Sequence, residues 1–382
     1  MNKNTPEQNK YQAQIFANRL SKKYRILRKW ARKERVTCYR LYDRDIPEVP
    51  VAVDLYEFLP DGMDSKTEAA RFLSEEDARI SANDESAAKE KASRIFAHLY
   101  LYERPYEKDE DDEKTWLSEI SRASAEVLGI PQSHVVQKLR KKQKGDSQYE
   151  KLDNEDDGSQ NAATVEGYVQ ECGQLFKVNL TRYLDTGLFF DHRPLRNFVR
   201  KNAAGKSVLN LFCYTASFSV YAAEGRAKRI ESVDLSNTYI DWAKFNFALN
   251  DFNPDDKRFI FTKSDVQDFL NEKIEEEPDA DKNRFDIIIL DPPTFSNSKS
   301  MKGIIDINRD WPGIVKKCLE LLNPNGILYF STNSHRIKFD ENLIYSGAFP
   351  RGSLFIKDVT EKSIPEDFKG EKPHKCWKIE RK

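Results

Sequence analysis

The 382-residue chain carries 62 Lys and Arg against 63 Asp and Glu, so its net charge of -1 names no partner by itself. With 39% apolar and 33% charged residues it can build packed cores under well-solvated surfaces, and its length favours two or three domains. Five scattered cysteines (Cys38, Cys172, Cys213, Cys318, Cys376) include no C-x-x-C pair, which argues against a disulfide framework or a zinc site and predicts reduced thiols in a cytoplasmic, metal-free protein.

The polar start MNKNTPEQNKYQ lacks the apolar core of a signal peptide, and no run approaches the roughly eighteen apolar residues of a membrane span. Residues 10–35 read as a basic helix. Ile15, Leu20, Tyr24, Leu27, Trp30 and Ala31 recur at helical spacing, and ten Lys or Arg face one acid, Glu34. Such an excess suits phosphate contact through Arg25, Arg28, Lys29 and Arg32, or simply a solvated face. TCYRLYD (37–43) and VAVDLYEFL (51–59) read as strands. Residues 60–93 turn acidic and Ala-rich, the pattern of a mobile, partly helical surface insertion. RIFAHLYLYERPY is a strand. An acid-rich run then opens the helix TWLSEISRASAEVLGI, where acids suit the positive end of the dipole. VVQKLRKKQK (135–144) is a strand leading into a basic loop, and 163–180 is a hairpin turning at Cys172-Gly173. These elements predict a small α+β domain over 37–180, after a basic helix over 1–36.

From 181 to 382 apolar strands alternate with helical segments: VLNLFCY, IESVDLS, FIFTKSD, FDIIILD and GILYFST, with a helix around 314–322 before the last. Alternation of this kind predicts an α/β, doubly wound, mainly parallel (Rossmann-like) sheet, whose ligands sit at the carboxyl ends of the strands. The suggestive polar residues fall there. The first strand ends NLFCYTAS, and three later ones end on Asp234, Asp265 and Asp291. An acid at the second tip can accept both hydroxyls of a ribose, and the next can accept from an adenine amino group. A dinucleotide would need glycines where backbone meets pyrophosphate, and CYTAS has none; a P-loop is also absent. A phosphate-free adenosyl cofactor, S-adenosylmethionine, satisfies these constraints. Its candidate contacts are Asn210, Phe212, Tyr214, Thr215 and Ala216 in the first turn, Asp234 and Leu235 in the second, and Asp265 and Val266 in the third.

Asp291 is followed by two prolines, which fix the backbone and withhold hydrogen-bond donors. Free carbonyls and a carboxylate then line a rigid slot suited to the amino or imino edge of a base. Asp291, Pro292 and Phe295, the last over the face of the base, are the catalytic candidates. The bland alternative is a structural turn with a helix cap.

NRLSKKYRILRKWAR, CYRLYDRDIPE, VAVD, QKGDSQYEKL, VNLTRYLDTGLFFDHR, LNLFCYTAS, DPPTFSNSK and PHKCW resemble the class I S-adenosylmethionine-dependent RNA methyltransferases. Within these, the chain is most similar to the C-terminal, N7-guanine half of the bifunctional bacterial 23S rRNA enzyme. The resemblance implies methylation of a guanine N7 in large-subunit rRNA, free or in an assembly intermediate. It also implies a cofactor contact at the methionine end from Phe189, Asp191 and Arg193. In this chain Ala216 stands where such enzymes have glycine, and Asn210 where they have an acid. The related 5-methylcytosine chemistry needs a cysteine after a late strand, and GILYFSTNSHR has none. RNA contact is expected from Lys138, Arg140, Lys141, Lys142 and Lys144, with Tyr149 able to stack on an unpaired base. Two alternatives remain: an RNA-binding ribosome-assembly factor with weak or no catalysis, and a methyltransferase for another base.

Overall fold

The structure is a computed structural model and describes residues 5–102, 109–140, 164–276, 284–296 and 305–382. The chain divides into two compact units at Thr186.

In the first unit, α1 (Pro6–Glu34) begins at a Thr5/Gln8 capping box and ends at Arg35 in the left-handed region. Its buried stripe runs through Ala13, Phe16, Leu20, Leu27 and Ala31. Of the residues that set the spacing, Leu20, Leu27 and Ala31 lie on this stripe, Ile15, Tyr24 and Trp30 are half-buried at its edges, and Ala13 and Phe16 complete it. β1 (Cys38–Asp43) and β2 (Val51–Glu57) pair antiparallel. The acidic segment that follows is folded, not a loose insertion: α2 (Lys66–Ser81) and α3 (Glu85–Ala92) form a helical pair. Its acids have partners. Glu76 is buried against Arg94 and lies 3.8 Å from Lys91, and Asp77 meets Arg32 at 2.9 Å.

β3 (Ile95–Tyr102), α4 (Glu110–Leu128) and β4 (Val135–Arg140) form a parallel crossover, completing a sheet of order β1-β2-β3-β4. Asp109 caps α4, and Gly129 ends it at φ 68°. Trp116 of α4 is fully buried and donates its indole N–H to Gln12 of α1 at 2.7 Å. The basic helix, expected as a segment of its own, is thus packed into this unit. β5 (Glu166–Glu171) and β6 (Gln174–Asn179) make the expected hairpin. Cys172 and Gly173 both adopt positive φ, as a two-residue hairpin turn requires.

The second unit opens with α5 (Arg193–Asn202) and β7 (Ser207–Leu211), followed by α6 (Ser217–Glu224) and β8 (Arg229–Asp234). Next come α7 (Asn237–Leu249), β9 (Phe259–Lys263), α8 (Val266–Glu275) and β10 (Phe285–Leu290). A two-residue bridge joins β11 (Phe295–Ser296) to β12 (Ile305–Asp306), and α9 (Ile307–Glu320) leads into β13 (Leu322–Thr332). β14 (Leu354–Asp358), α10 (Thr360–Ser363) and β15 (Lys375–Arg381) close the chain.

The seven-stranded sheet runs β14-β15-β13-β10-β7-β8-β9. β13, β10, β7, β8 and β9 are mutually parallel, and β15 is antiparallel to both its neighbours. Ile287, Ile288, Ile289 and Leu290 are no more than 1% exposed, as a central strand covered on both faces demands. The strand order reverses between β7 and β10. In such a sheet the ligand crevice lies outside the carboxyl ends at that reversal.

Candidate active site

The turn from Phe212 to Ala216 leaves β7 at the reversal, and its backbone is unusual. Phe212, Tyr214 and Ala216 take φ of 53°, 52° and 59°. Each such non-glycine residue costs on the order of 1 kcal/mol, so surrounding contacts must hold the turn. Cys213 N–H donates to Val233 O at 2.9 Å, Ala216 N–H to Cys213 O at 2.8 Å, and Thr215 Oγ1 to Gly187 O at 2.7 Å. Asn246 Nδ2 donates to Thr215 O at 3.0 Å. The Tyr214 ring lies 4.6 Å from that of Tyr239 and 5.3 Å from that of Phe189, which is 47% exposed.

Asp234, at the tip of β8, receives Tyr214 N–H on Oδ2 and Ser236 N–H on Oδ1, each at 2.9 Å. Burial pushes its carboxyl up to about 6, against the pull of the Ser236, Tyr214 and Leu235 amides. Each carboxylate oxygen keeps a second lone pair with which it could accept from a hydroxyl, and Leu235 beside it is half-buried. Asp265 is the N-cap of α8, accepting Gln267 N–H at 2.8 Å and Asp268 N–H at 3.2 Å on Oδ1. Its neighbour Ser264 donates N–H to Asp234 O at 3.1 Å, tying the two tips together.

Four expected cofactor contacts have other work. Val266 is in the hydrophobic core. Asn210 is buried and donates to Ser219 Oγ at 2.9 Å, which in turn meets Ser232 Oγ at 2.7 Å, joining β7, α6 and β8. The Arg193 guanidinium is buried against Asp367 at 2.8 Å, and Asp191 is matched to two histidines. A charge already paired inside the protein is poorly placed to bind the ammonium or carboxylate of a ligand. Of the Phe189, Asp191, Arg193 set, Phe189 is the member presented to solvent, and Arg196 fixes its backbone by donating to Phe189 O at 2.8 Å.

At the tip of β10 the Asp291 side chain is 27% exposed, and Oδ1 accepts the Ser331 hydroxyl from β13. Ser331 Oγ also lies 2.8 Å from His192 Nε2, which is 3.5 Å from Asp291 Oδ1. The other ring nitrogen, Nδ1, faces Asp191 Oδ2 at 3.3 Å; His374 Nδ1 reaches the same oxygen at 2.9 Å. His374 Nε2 meets Ser363 Oγ at 2.8 Å. Burial opposes a charge on His192, but Asp291 and Asp191 outweigh it and lift its pKa to about 9. Asp191 is held well below the carboxylate range: burial opposes ionisation, but the His192 charge and the two histidine hydrogen bonds override it. His192, Ser331 and His374 thus surround the two carboxylates, although no local motif in the sequence singles them out.

The donor atoms of Asp191, His192 and His374 lie within 4.8 Å of one another, close enough to consider an ion. The two rings, however, are stacked at 4.2 Å and 17°. An ion at about 2.1 Å lies near the plane of each imidazole ligand, a position that stacked rings do not share. Beyond Asp291, Pro292 is buried, Phe295 is 54% exposed, and Thr294 Oγ1 donates to Asn333 Oδ1 at 2.5 Å. All five cysteines are buried; burial raises the Cys318 thiol inside α9 far above its ordinary value, leaving no nucleophile there.

In the first unit, Arg25, Arg28 and Lys29 are exposed on α1, with Arg28 over the Tyr24 ring at 5.8 Å. Arg32 is engaged by Asp77 at 2.9 Å. Lys138 donates to Tyr183 O and Leu184 O, and burial pulls its pKa down to about 8, so its ammonium is an internal tie, not a free phosphate contact. The Arg140 side chain and residues Lys141, Lys142, Lys144 and Tyr149 lie outside the described residues.

A family model described as S-adenosylmethionine-dependent methyltransferase matches residues 99–375. Ribosomal RNA large subunit methyltransferase K of Neisseria meningitidis serogroup B is 39% identical over 367 residues, 96% of this chain and 87% of that protein. The K/L methyltransferase of Hahella chejuensis is 40% identical over 369 residues, again 96% of this chain but 43% of its own. The chain thus spans less than half the length of such K/L relatives. Among solved structures, a Streptococcus mutans protein described as a SAM-dependent methyltransferase aligns with a TM-score of 0.64 at 22% identity, over 96% of this chain and 81% of that one. A second such structure, with SAH bound, also gives 0.64, at 21% identity over the same shares.

Proposed function

The chain belongs to the S-adenosylmethionine-dependent methyltransferase family, and on that premise we propose that it methylates N7 of a guanine in large-subunit ribosomal RNA. The similarity to large-subunit rRNA methyltransferases over 96% of the chain supports the RNA substrate. When bound, S-adenosylmethionine supplies a methyl group already activated on sulfonium. Asp234 and Leu235 hold its ribose, Asp265 its adenine amino group, and the Phe212–Ala216 turn with Phe189 its apolar flank.

The observation that carries the base assignment is the anchored tip Asp291-Pro292, with Oδ1 on Ser331 and the side chain partly open beside an exposed Phe295. Guanine N7 has a lone pair and no proton, so the site needs alignment and charge compensation but no general base. Asp291 Oδ2 meets the amino and imino edge of the guanine and offsets the positive charge that the ring acquires. Phe295 stacks on the base, which must leave any duplex to reach it. The buried, unreactive cysteines speak against the covalent route to 5-methylcytosine.

The strained turn favours an enzyme over an assembly factor without catalysis. Three left-handed non-glycine residues persist only where contacts hold them, and such strain clusters at ligand sites. Arg25, Arg28 and Lys29 give phosphate contact. Mass mapping of rRNA from cells with and without the gene tests the proposal. Loss of one 7-methylguanosine is expected; an unchanged map, with no calorimetric binding of S-adenosylmethionine, would leave the assembly-factor reading.

A further inference from the structure

Ser331 has one hydroxyl hydrogen, and it goes to Asp291 Oδ1. The 2.8 Å contact between Ser331 Oγ and His192 Nε2 is then a hydrogen bond only if Nε2 carries a proton. Across the ring, Nδ1 faces Asp191 Oδ2 at 3.3 Å, and an ionised carboxylate only accepts. The His374 ring stands in the same way between Asp191 Oδ2 and Ser363 Oγ, whose hydroxyl goes to Thr360 O, so the stacked pair shares one cation, and the second carboxylate, Asp291 at 3.5 Å, favours His192 as its holder. The surroundings of His192 suit a cation: Asp191 and Asp291 face it from two elements, against the Arg196 guanidinium and the stacked His374 ring. His374 is kept neutral by burial and by the charge of His192 itself.

We propose that His192 is a positioning residue for the methyl transfer: clamped between Asp191 and Asp291, its imidazolium fixes the Asp291 carboxylate, directly and through Ser331, in the orientation that meets the base. This rests on Asp291 being the base-holding carboxylate. The clamp also makes the site pH-sensitive. His192 is charged below about pH 9. As pH rises through that value the ring loses one of its two protons, the positive charge between Asp191 and Asp291 disappears, the hold on the Asp291 carboxylate weakens, and transfer slows.

Two measurements on the full chain test this. The first is a titration of the protein alone, labelled with nitrogen-15 histidine, from about pH 6 to 10 by NMR. His192→Gln assigns the His192 signals; where that variant does not fold, the shift of those signals in Ser331→Ala does. Both His192 nitrogens are expected to be protonated at about pH 7.5. A neutral ring there overturns the proposal. The second is single-turnover methylation of large-subunit rRNA from cells lacking the gene. His192→Gln is expected to lower the rate constant ~10- to 100-fold. It should leave the dissociation constant for S-adenosylmethionine within about twofold, and it should abolish the alkaline fall. A full rate, or a persistent fall near pH 9, overturns the proposal. A methyl group found on another atom would refute the N7 assignment while leaving the titration of His192 to be judged separately.

Discussion

The backbone N–H of Tyr214 donates to Asp234 Oδ2 at 2.9 Å, so the residue at the centre of the strained turn is held by the carboxylate assigned to the ribose. Ionisation of Asp234 therefore supports the turn and, under the proposed assignment, the cofactor with it. Burial raises its pKa to about 6. Above that value the group is an acceptor on both oxygens; as pH falls through it, one oxygen becomes a donor and the site weakens. S-Adenosylmethionine affinity is expected to fall on acidification from pH 7 to about 5. Asp234→Ala is expected to cost ~10- to 100-fold in affinity at neutral pH, the worth of hydrogen bonds to a charged group. Calorimetry across this range checks both, and pH-independent binding would remove Asp234 from the ribose.

Ala216 sits fully buried at φ 59°, where a β-branched residue has no comfortable backbone. Ala216→Gly relieves the left-handed cost but loosens the unfolded chain, and the two terms nearly cancel, within about 1 kcal/mol. Ala216→Val adds overpacking to strain and is expected to destabilise by about 2 kcal/mol or more. Urea denaturation separates the two variants. Equal stability for both would mean that the turn is not held in the left-handed region.

In the first unit His98 on β3 is fully buried, 4.1 Å from the Tyr100 ring, and neither ring nitrogen has a hydrogen-bond partner among the described residues. Burial first, then the charges of Lys138 and Arg40, hold its pKa well below 6.5. The folded state keeps the ring neutral while the unfolded chain takes up a proton near pH 6.5. Stability is thus full above about pH 6.5 and drops below it, by up to about 1.4 kcal/mol per pH unit. His98→Leu removes this component. Hydrogen exchange of β2 and β3 amides at pH 7.5 and 5 is expected to show a smaller acid loss in the variant than in the wild type; equal losses would assign acid sensitivity to other groups.

Much of this was legible because it is local. FDIIILD reads as a central strand from its own side chains, and Cys172-Gly173 as a turn from its position between two alternating runs. β15 was not read: KCWKIER interleaves Lys378 and Glu380 with apolar residues, and nothing in it shows that it inserts between β13 and β14. Asp191 stood out as a site residue, but His374, its partner, is 183 positions away, and Asp367, the partner of Arg193, is 174 away from that arginine. Pairings of that range depend on the fold: the resemblance implied a ligand for both charges, whereas Asp191 pairs with His192 and His374, and Arg193 with Asp367. The helical character of α2 and α3 was legible, but not what anchors them, since Arg32 lies outside the segment and Arg94 just beyond it.

Asp291 concentrates these relations. Ser331 and His192 engage Oδ1, and the backbone is stiffened by Pro292 immediately after it. Removing the carboxylate is expected to leave the Phe212–Ala216 turn and Asp234 in place, because the hydrogen bonds described for them run to Val233, Gly187, Asn246, Ser236 and Ser264. Asp291→Ala is therefore expected to slow methylation of large-subunit rRNA ~100- to 1000-fold, the range for losing one group that compensates developing charge. S-Adenosylmethionine affinity should stay nearly unchanged. Asp291→Asn keeps an acceptor but not the charge, and its rate should fall between the wild type and Asp291→Ala. A charge-compensating role puts most of the loss in the Asn variant already; a purely hydrogen-bonding role puts most of it in Ala. Normal methylation by either variant would move the chemistry away from this strand tip.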